Sequence, residues 1–462
     1  MYFIKLFRSP EKVNVLQMNL GFLRIFGVLA QQSVNTSRLR VLIDYLLKWA
    51  MAVLILFFLF GTTVRLSFVL DDFSKTADTL LFVITHVKST VKISSLIAFR
   101  EKFLNLITSI EENTYIKGIN PLKREISCVD GYKKLARKIC QFTWVTFFLS
   151  VSTWFTKLPQ KPDLDLLANS TLGEYRRESF FNLWLPVKGA ESPYFELFNI
   201  FEYLAIGAVY LFVTLMNSSI IVLIIHKTAQ FALLAETIEN TNIHADEQNQ
   251  MKKATSNNEI TKKESTKASE EMSTPARKVK FSSLEVEEVL LFDSCNPPPE
   301  VDELYINQVD THMRLCVQYH QNLLKQAKIL DKALALIMFT QILSSSFLLA
   351  IIGVLMATAK DSSTMTMGAT YLSYVLMETG LLCWIATQLR IQSEMVGQAA
   401  YNCMWYGYPK RIKLSLRFII KRSQKPVILS LGPFGSLSME LFGKILNSAY
   451  SYFTLMKDVS RN

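Results

Sequence analysis

The chain reads as an all-α membrane protein of seven transmembrane helices, with a cytoplasmic N-terminus and an extracellular C-terminus. Three observations predict this. Half of its 462 residues are hydrophobic and its mean hydropathy is +0.22, too apolar for a soluble chain of that length. The hydrophobic residues gather in runs near or above about twenty, the length that crosses a bilayer core of about 30 Å. The net charge of +11 is not gathered into a patch for nucleic acid but sits in the loops between the runs.

Residues 1–44 carry scattered Lys and Arg, with no cleavable signal peptide visible before the first charges. Their middle, Val15 to Ala30, mixes apolar and polar residues as an interfacial helix does. The next unit, 45–239, holds four spans. The first runs over Tyr45–Phe68. The second, about Thr76–Phe99, is the weakest, because His86, Lys88 and Lys92 interrupt it; charges at that depth either snorkel or meet water inside the bundle. A charged helical loop leads to the third span, about Lys138–Lys157. The polar segment after it contains the sequon Asn169-Ser170-Thr171, a candidate glycosylation site. The fourth span, about Phe195–Lys227, is long enough to require tilt or extension beyond the bilayer.

Residues 240–300 change character. Lys, Glu, Ser, Thr and Asn dominate and aromatics are absent before Phe281. Such a stretch buries too little apolar surface to offset its ordering entropy and is expected to be disordered. It is a solvated spacer, a phosphorylated segment or a calmodulin target. The unit 301–436 supplies an amphipathic helix over Leu304–Lys332, a fifth span at about Ala333–Thr358, a sixth at about Met367–Leu389, and an amphipathic basic stretch that ends at Pro426 and Gly432-Pro433.

The last unit, 437–462, contains the helix Leu437–Val459. It spans roughly 35 Å but is broken by Lys444, Asn447, Ser448, Ser451 and Thr454. Lys444, Ser448, Tyr452, Leu455 and Val459 share one stripe at helical spacing, polar at one end and apolar at the other. Either these polar groups bond neighbouring helices, or the stripe lines a wet passage closed by apolar side chains.

Orientation follows from the basic residues. With the N-terminus inside, the inner segments carry about 35 Lys and Arg against about 9 outside, or about 22 against 9 without the long 227–332 loop. This places the Asn169 sequon outside. A seven-helix metabotropic receptor has the opposite topology, and a secondary transporter would show an internal repeat that is absent here. No Ser/His/Asp grouping, phosphate loop, CxxC or metal-ligand cluster is present, so neither an enzyme nor a metal or cofactor site is expected. None of the six cysteines falls in an outer loop, so no disulfide framework is expected.

The chain resembles the insect odorant receptor family. The residues that carry the resemblance are Gln392-Ser393-Glu394, Ala399-Ala400-Tyr401 with Trp405, Arg422-Ser423-Gln424-Lys425-Pro426, the run Ser436 to Phe442, and Ser451-Tyr452-Phe453. The sister gustatory receptors end in a Thr-Tyr motif followed by Gln-Phe, and Asp458 stands at the Gln position here. The resemblance implies an odorant-gated non-selective cation channel, tetrameric, with a pore lined by the last helix and cytoplasmic helix ends forming a shared anchor. The narrowest point then falls at Leu455 and Val459, three and seven positions after Tyr452, with Ser451 and Tyr452 nearby and Asp458 at the outer mouth or paired with Lys457. The family implies a plasma-membrane location in olfactory sensory neurons and a common co-receptor as partner in a heterotetramer. A co-receptor-like or homomeric subunit, or a gustatory-type receptor, is the alternative. The family's pocket for small volatile ligands lies among the outer halves of spans two, three, four and six. Here it draws on Phe82 and His86, then Phe147, Ser150 and Trp154, then Ile206 and Tyr210, and finally Tyr371 and Tyr374. Aromatics at helical spacing also serve simply to pack helices, and a lone intramembrane His is either a pH-sensitive group or a packing residue.

Overall fold

A computed structural model describes residues 38–71, 73–112, 114–155, 183–184, 194–247, 303–358 and 362–459. The predicted interfacial helix, the Asn169 sequon and the loop 248–302 lie outside them. Among the described residues nine α-helices follow in order: α1 Arg38–Phe68, α2 Phe73–Ala98, α3 Arg100–Glu112, α4 Lys123–Phe155, α5 Tyr194–Glu239, α6 Glu303–Thr358, α7 Ser362–Asn402, α8 Lys410–Ser423 and α9 Met439–Val459. The described residues hold no strand, only an isolated bridge between Ser430 and Ser436.

Among the described residues five helices are long and apolar enough to cross a membrane: α1, α2, α5, α6 and α7. The two other predicted spans are also helical and in the expected places. The second half of α4 and the whole of α9 are too rich in polar and charged residues for composition alone to mark them. Such helices are stable at bilayer depth only when their polar groups face protein or water.

The long helices run well past the bilayer. At about 1.5 Å per residue, the 46 residues of α5 reach about 69 Å and the 56 of α6 about 84 Å, more than twice a bilayer core. The halves that extend beyond bilayer depth join α3, the start of α4, the end of α7 and α8 in a second bundle, called the inner bundle below. α5 packs against α7 and α4, α6 against α2, α7 and α9, and α1 against α2.

The expectation that residues 240–300 are disordered from their start is corrected here. The chain stays helical to residue 247, with Thr241, His244 and Ala245 buried. His244 Nε2 meets the buried Glu125 Oε1 at 2.7 Å, and its ring stacks on His312 at 4.8 Å. Polar composition suggested a solvated segment, but these specific partners hold its first turns against α4 and α6.

The turn into α9 has a local cause. Leu431 N–H donates to Gly435 O at 2.8 Å, and Leu437 N–H to Leu429 O at 2.8 Å. Gly432 and Gly435 take φ of +64° and +124°, angles that side chains with a Cβ rarely adopt. Asp331 Oδ1 pins this turn to α6 by accepting from Ser430 N (2.7 Å) and Ser430 Oγ (2.8 Å). Beyond it, α9 lies close to its neighbours at two glycines. A Cβ at Gly353 would meet Phe453 at 3.0 Å, and one at Gly380 would meet Phe442 at 3.3 Å.

Candidate ligand cavity

Four helices enclose a cavity of about 790 Å³, counting its open mouth. Each contributes one face at helical spacing: Thr85, Lys88 and Ser89 from α2; Phe147, Ser150 and Val151 from α4; Tyr203, Ile206, Gly207, Tyr210, Val213 and Thr214 from α5; Tyr371 and Tyr374 from α7. The walls are mostly aromatic and aliphatic, with hydroxyls and one ammonium among them. A concave apolar space with a few placed polar groups is the usual form of a small-molecule site. Tyr371 and Tyr374 stack at 6.5 Å with nearly parallel rings, and the Tyr371 hydroxyl shares a hydrogen bond of 2.9 Å with Thr85 Oγ1.

At the cavity's inner end lies a buried charge cluster. Lys88 and Lys92, one turn apart on α2, both reach Glu378 on α7, at 3.2 Å and 3.3 Å. Asn217 of α5 completes it: its Oδ1 accepts from Lys92 Nζ at 2.8 Å, and its Nδ2 donates to Glu378 Oε1. The three charged side chains are 4% exposed or less. Sequence reading expected Lys88 and Lys92 to snorkel or meet water; the structure pairs them with a carboxylate instead. Glu378 was not singled out, although an acid in a membrane span signals a buried partner.

Six residues expected to form a pocket do line the one cavity: Phe147, Ser150, Ile206, Tyr210, Tyr371 and Tyr374. Phe82 and His86 are not brought to its walls. They sit one turn apart on a face of α2 rotated from Thr85 and Lys88, and the His86 ring is stacked between Phe58 at 5.8 Å and Tyr210 at 6.5 Å. His86 is therefore a packing residue behind the wall; neither ring nitrogen has a hydrogen-bond partner among the described residues. Trp154 lies in the last turn of α4, and its side chain is outside the described set.

On α9, Ile445 and Ala449 are buried and Phe453 half-buried, while Lys444, Ser448, Ser451, Tyr452 and Leu455 are exposed. The stripe expected to line a passage is thus the face this chain leaves uncovered. Asp458 and Val459 continue the helix, their side chains lying outside the described set.

A sequence model described as 7tm Odorant receptor matches residues 72–450. Among curated relatives, the chain is 28% identical over 147 residues to Odorant receptor Or2 of Anopheles gambiae, which is 32% of this chain and 39% of that one. It is 31% identical over 141 residues to Odorant receptor 67a of Drosophila melanogaster, 30% of this chain and 35% of that one. These alignments span less than half the length of the curated relatives. The fold is similar to the solved structure of the insect olfactory receptor OR5 from Machilis hrabei in complex with eugenol, with a TM-score of 0.69 over 96% of this chain and 98% of that one, at 15% identity. With the family match covering most of the sequence and the helical architecture shared from end to end, the chain belongs to the insect odorant receptor family.

Proposed function

We propose that the chain is the odorant-tuned subunit of a ligand-gated, non-selective cation channel, working in a heterotetramer with the olfactory co-receptor. It sits in the plasma membrane of olfactory sensory neurons with its N-terminus inside. The observation that carries this reading is the four-helix cavity, whose concave aromatic lining suits a small volatile molecule. The likeness to a receptor solved with eugenol supports a ligand of that size. Phe147, Ser150, Ile206, Tyr210, Tyr371 and Tyr374 are its contact residues. Binding shifts a closed–open equilibrium by contacting the open arrangement better.

The conduction path is the uncovered face of α9. A face carrying Lys444, Asn447 and Ser448 is costly against lipid tails, so its neighbours are other subunits around water. Leu455 and Val459 close it by excluding water, and Asp458 adds a carboxylate at the mouth. Recording from cells that express the chain alone, and with an insect co-receptor, across a panel of volatiles tests the assignment; currents without the co-receptor would favour a homomeric subunit. Replacing Leu455 and Val459 together by Ala should raise the resting current or alter ion selectivity. Unchanged currents in a surface-expressed complex would remove these residues from the gate.

A further inference from the structure

We propose that this cavity is tuned to small carboxylic acids, bound as carboxylates by Lys88, a reading that rests on the cavity being the ligand site. Glu378 Oε2 accepts from Lys88 Nζ, while its Oε1 accepts from Lys92 Nζ and Asn217 Nδ2. Lys92 divides its donors between Glu378 and Asn217. Lys88 has a single acceptor among the described residues, which leaves two of its three N–H groups unspent. The cluster therefore holds two ammonium groups and one carboxylate, at a depth where an uncompensated charge is costly.

The group with spare donors is the one that faces the cavity. Lys88 lines it, whereas Lys92 turns to a smaller void bounded by Asn217, Ile337 and Gln341. The other titratable groups nearby do not supply the missing negative charge. Tyr371, Tyr374 and Tyr210 are phenols, and His86 points behind the wall. Glu202, the buried acid of α5, lies twelve residues before Thr214, roughly 18 Å along the helix. A carboxylate entering the cavity would receive charge-assisted hydrogen bonds from Lys88, and the cluster would become two positive and two negative. The ligand's alkyl chain would lie against Phe147, Val151, Ile206 and Val213. A neutral alcohol of the same length gains the apolar contacts but leaves the extra charge unmatched.

The test is to express the full chain with an insect co-receptor and record currents to matched straight-chain acids, primary alcohols and methyl esters at neutral pH, where the acids are ionised. The acids should act at concentrations at least about tenfold lower than their matched alcohols. Lys88→Met should bring the acid-to-alcohol potency ratio to near unity, and Lys88→Arg should keep the preference. Lys88→Met leaves Glu378 and Lys92 as a one-to-one pair, so the variant is expected to reach the surface, which biotinylation checks. Acids no more potent than alcohols, or a preference that survives Lys88→Met, would overturn the proposal. Gly207→Phe separates this from failure of the site itself, since a Cβ there meets nothing within 4 Å and a ring would fill the cavity. If Gly207→Phe silences acids and alcohols that were equally potent, only the acid preference falls. If currents survive Gly207→Phe, the cavity is not the site and the proposal falls with it.

Discussion

The half at bilayer depth and the inner bundle both bury acids, and they use them in different ways. In the inner bundle Glu125 meets His244, Asp310 lies between Arg314 (2.7 Å) and Arg411 (3.0 Å), and Asp331 holds the Ser430 turn. In the membrane half Glu378 is shared by two lysines, and one of them borders a cavity with donors to spare. An acid whose surplus cations reach solvent, as both arginines of Asp310 do, carries no buried imbalance and fixes one arrangement of helices. An incompletely matched cluster beside empty space favours whatever fills it. If the cavity is the ligand site, the difference separates a half built to hold still from a half built to respond.

The sharpest way to break this comparison is Glu378→Gln. It leaves Lys88 and Lys92 buried without a counter-charge, and removing one partner of such a group costs about 3–5 kcal/mol. Surface biotinylation should show delivery to the membrane nearly lost; wild-type delivery would mean that the lysines are hydrated. Next is Gly207→Phe, which should weaken every ligand response by more than about tenfold while surface levels stay close to wild type. A lesion in the inner half should behave in reverse. Asp331→Ala removes two hydrogen bonds to Ser430 and should cost about 1–3 kcal/mol, read as a lower melting temperature of the solubilised protein with odorant potency unchanged. The smallest effect concerns Cys403, just after α7, whose thiol burial pushes up to about 11. It should resist maleimide at neutral pH in the folded protein and react after unfolding, as mass spectrometry would show.

Much of this was legible in the sequence because membrane helices announce themselves by length and apolar content. The expected second span, 76–99, and last helix, 437–459, match α2 and α9 to within three residues at each end. Rotation about the helix axis was less legible. Depth placed Phe82 and His86 level with the cavity, but the wall is formed by Thr85, Lys88 and Ser89, and one residue along a helix is about 100° of turn. On α7 the two tyrosines, three apart, fell on the correct face. Long-range pairing was not legible at all: Glu378 lies 290 residues from Lys88, and no periodicity links them. The same holds for the helical residues 241–247, whose partners Glu125 and His312 lie far away in the chain.

The glycine notch at Gly380 has a mechanical consequence. Tyr371, Tyr374, Glu378 and Gly380 stand on one continuous rod, nine residues or roughly 14 Å from first to last, and Phe442 of the final helix rests in the notch. A molecule that leans on the tyrosines tilts the same rod on which that phenylalanine sits. Packed interiors pass such displacements on rather than absorb them, so in the proposed channel sensing and opening would share a single moving part.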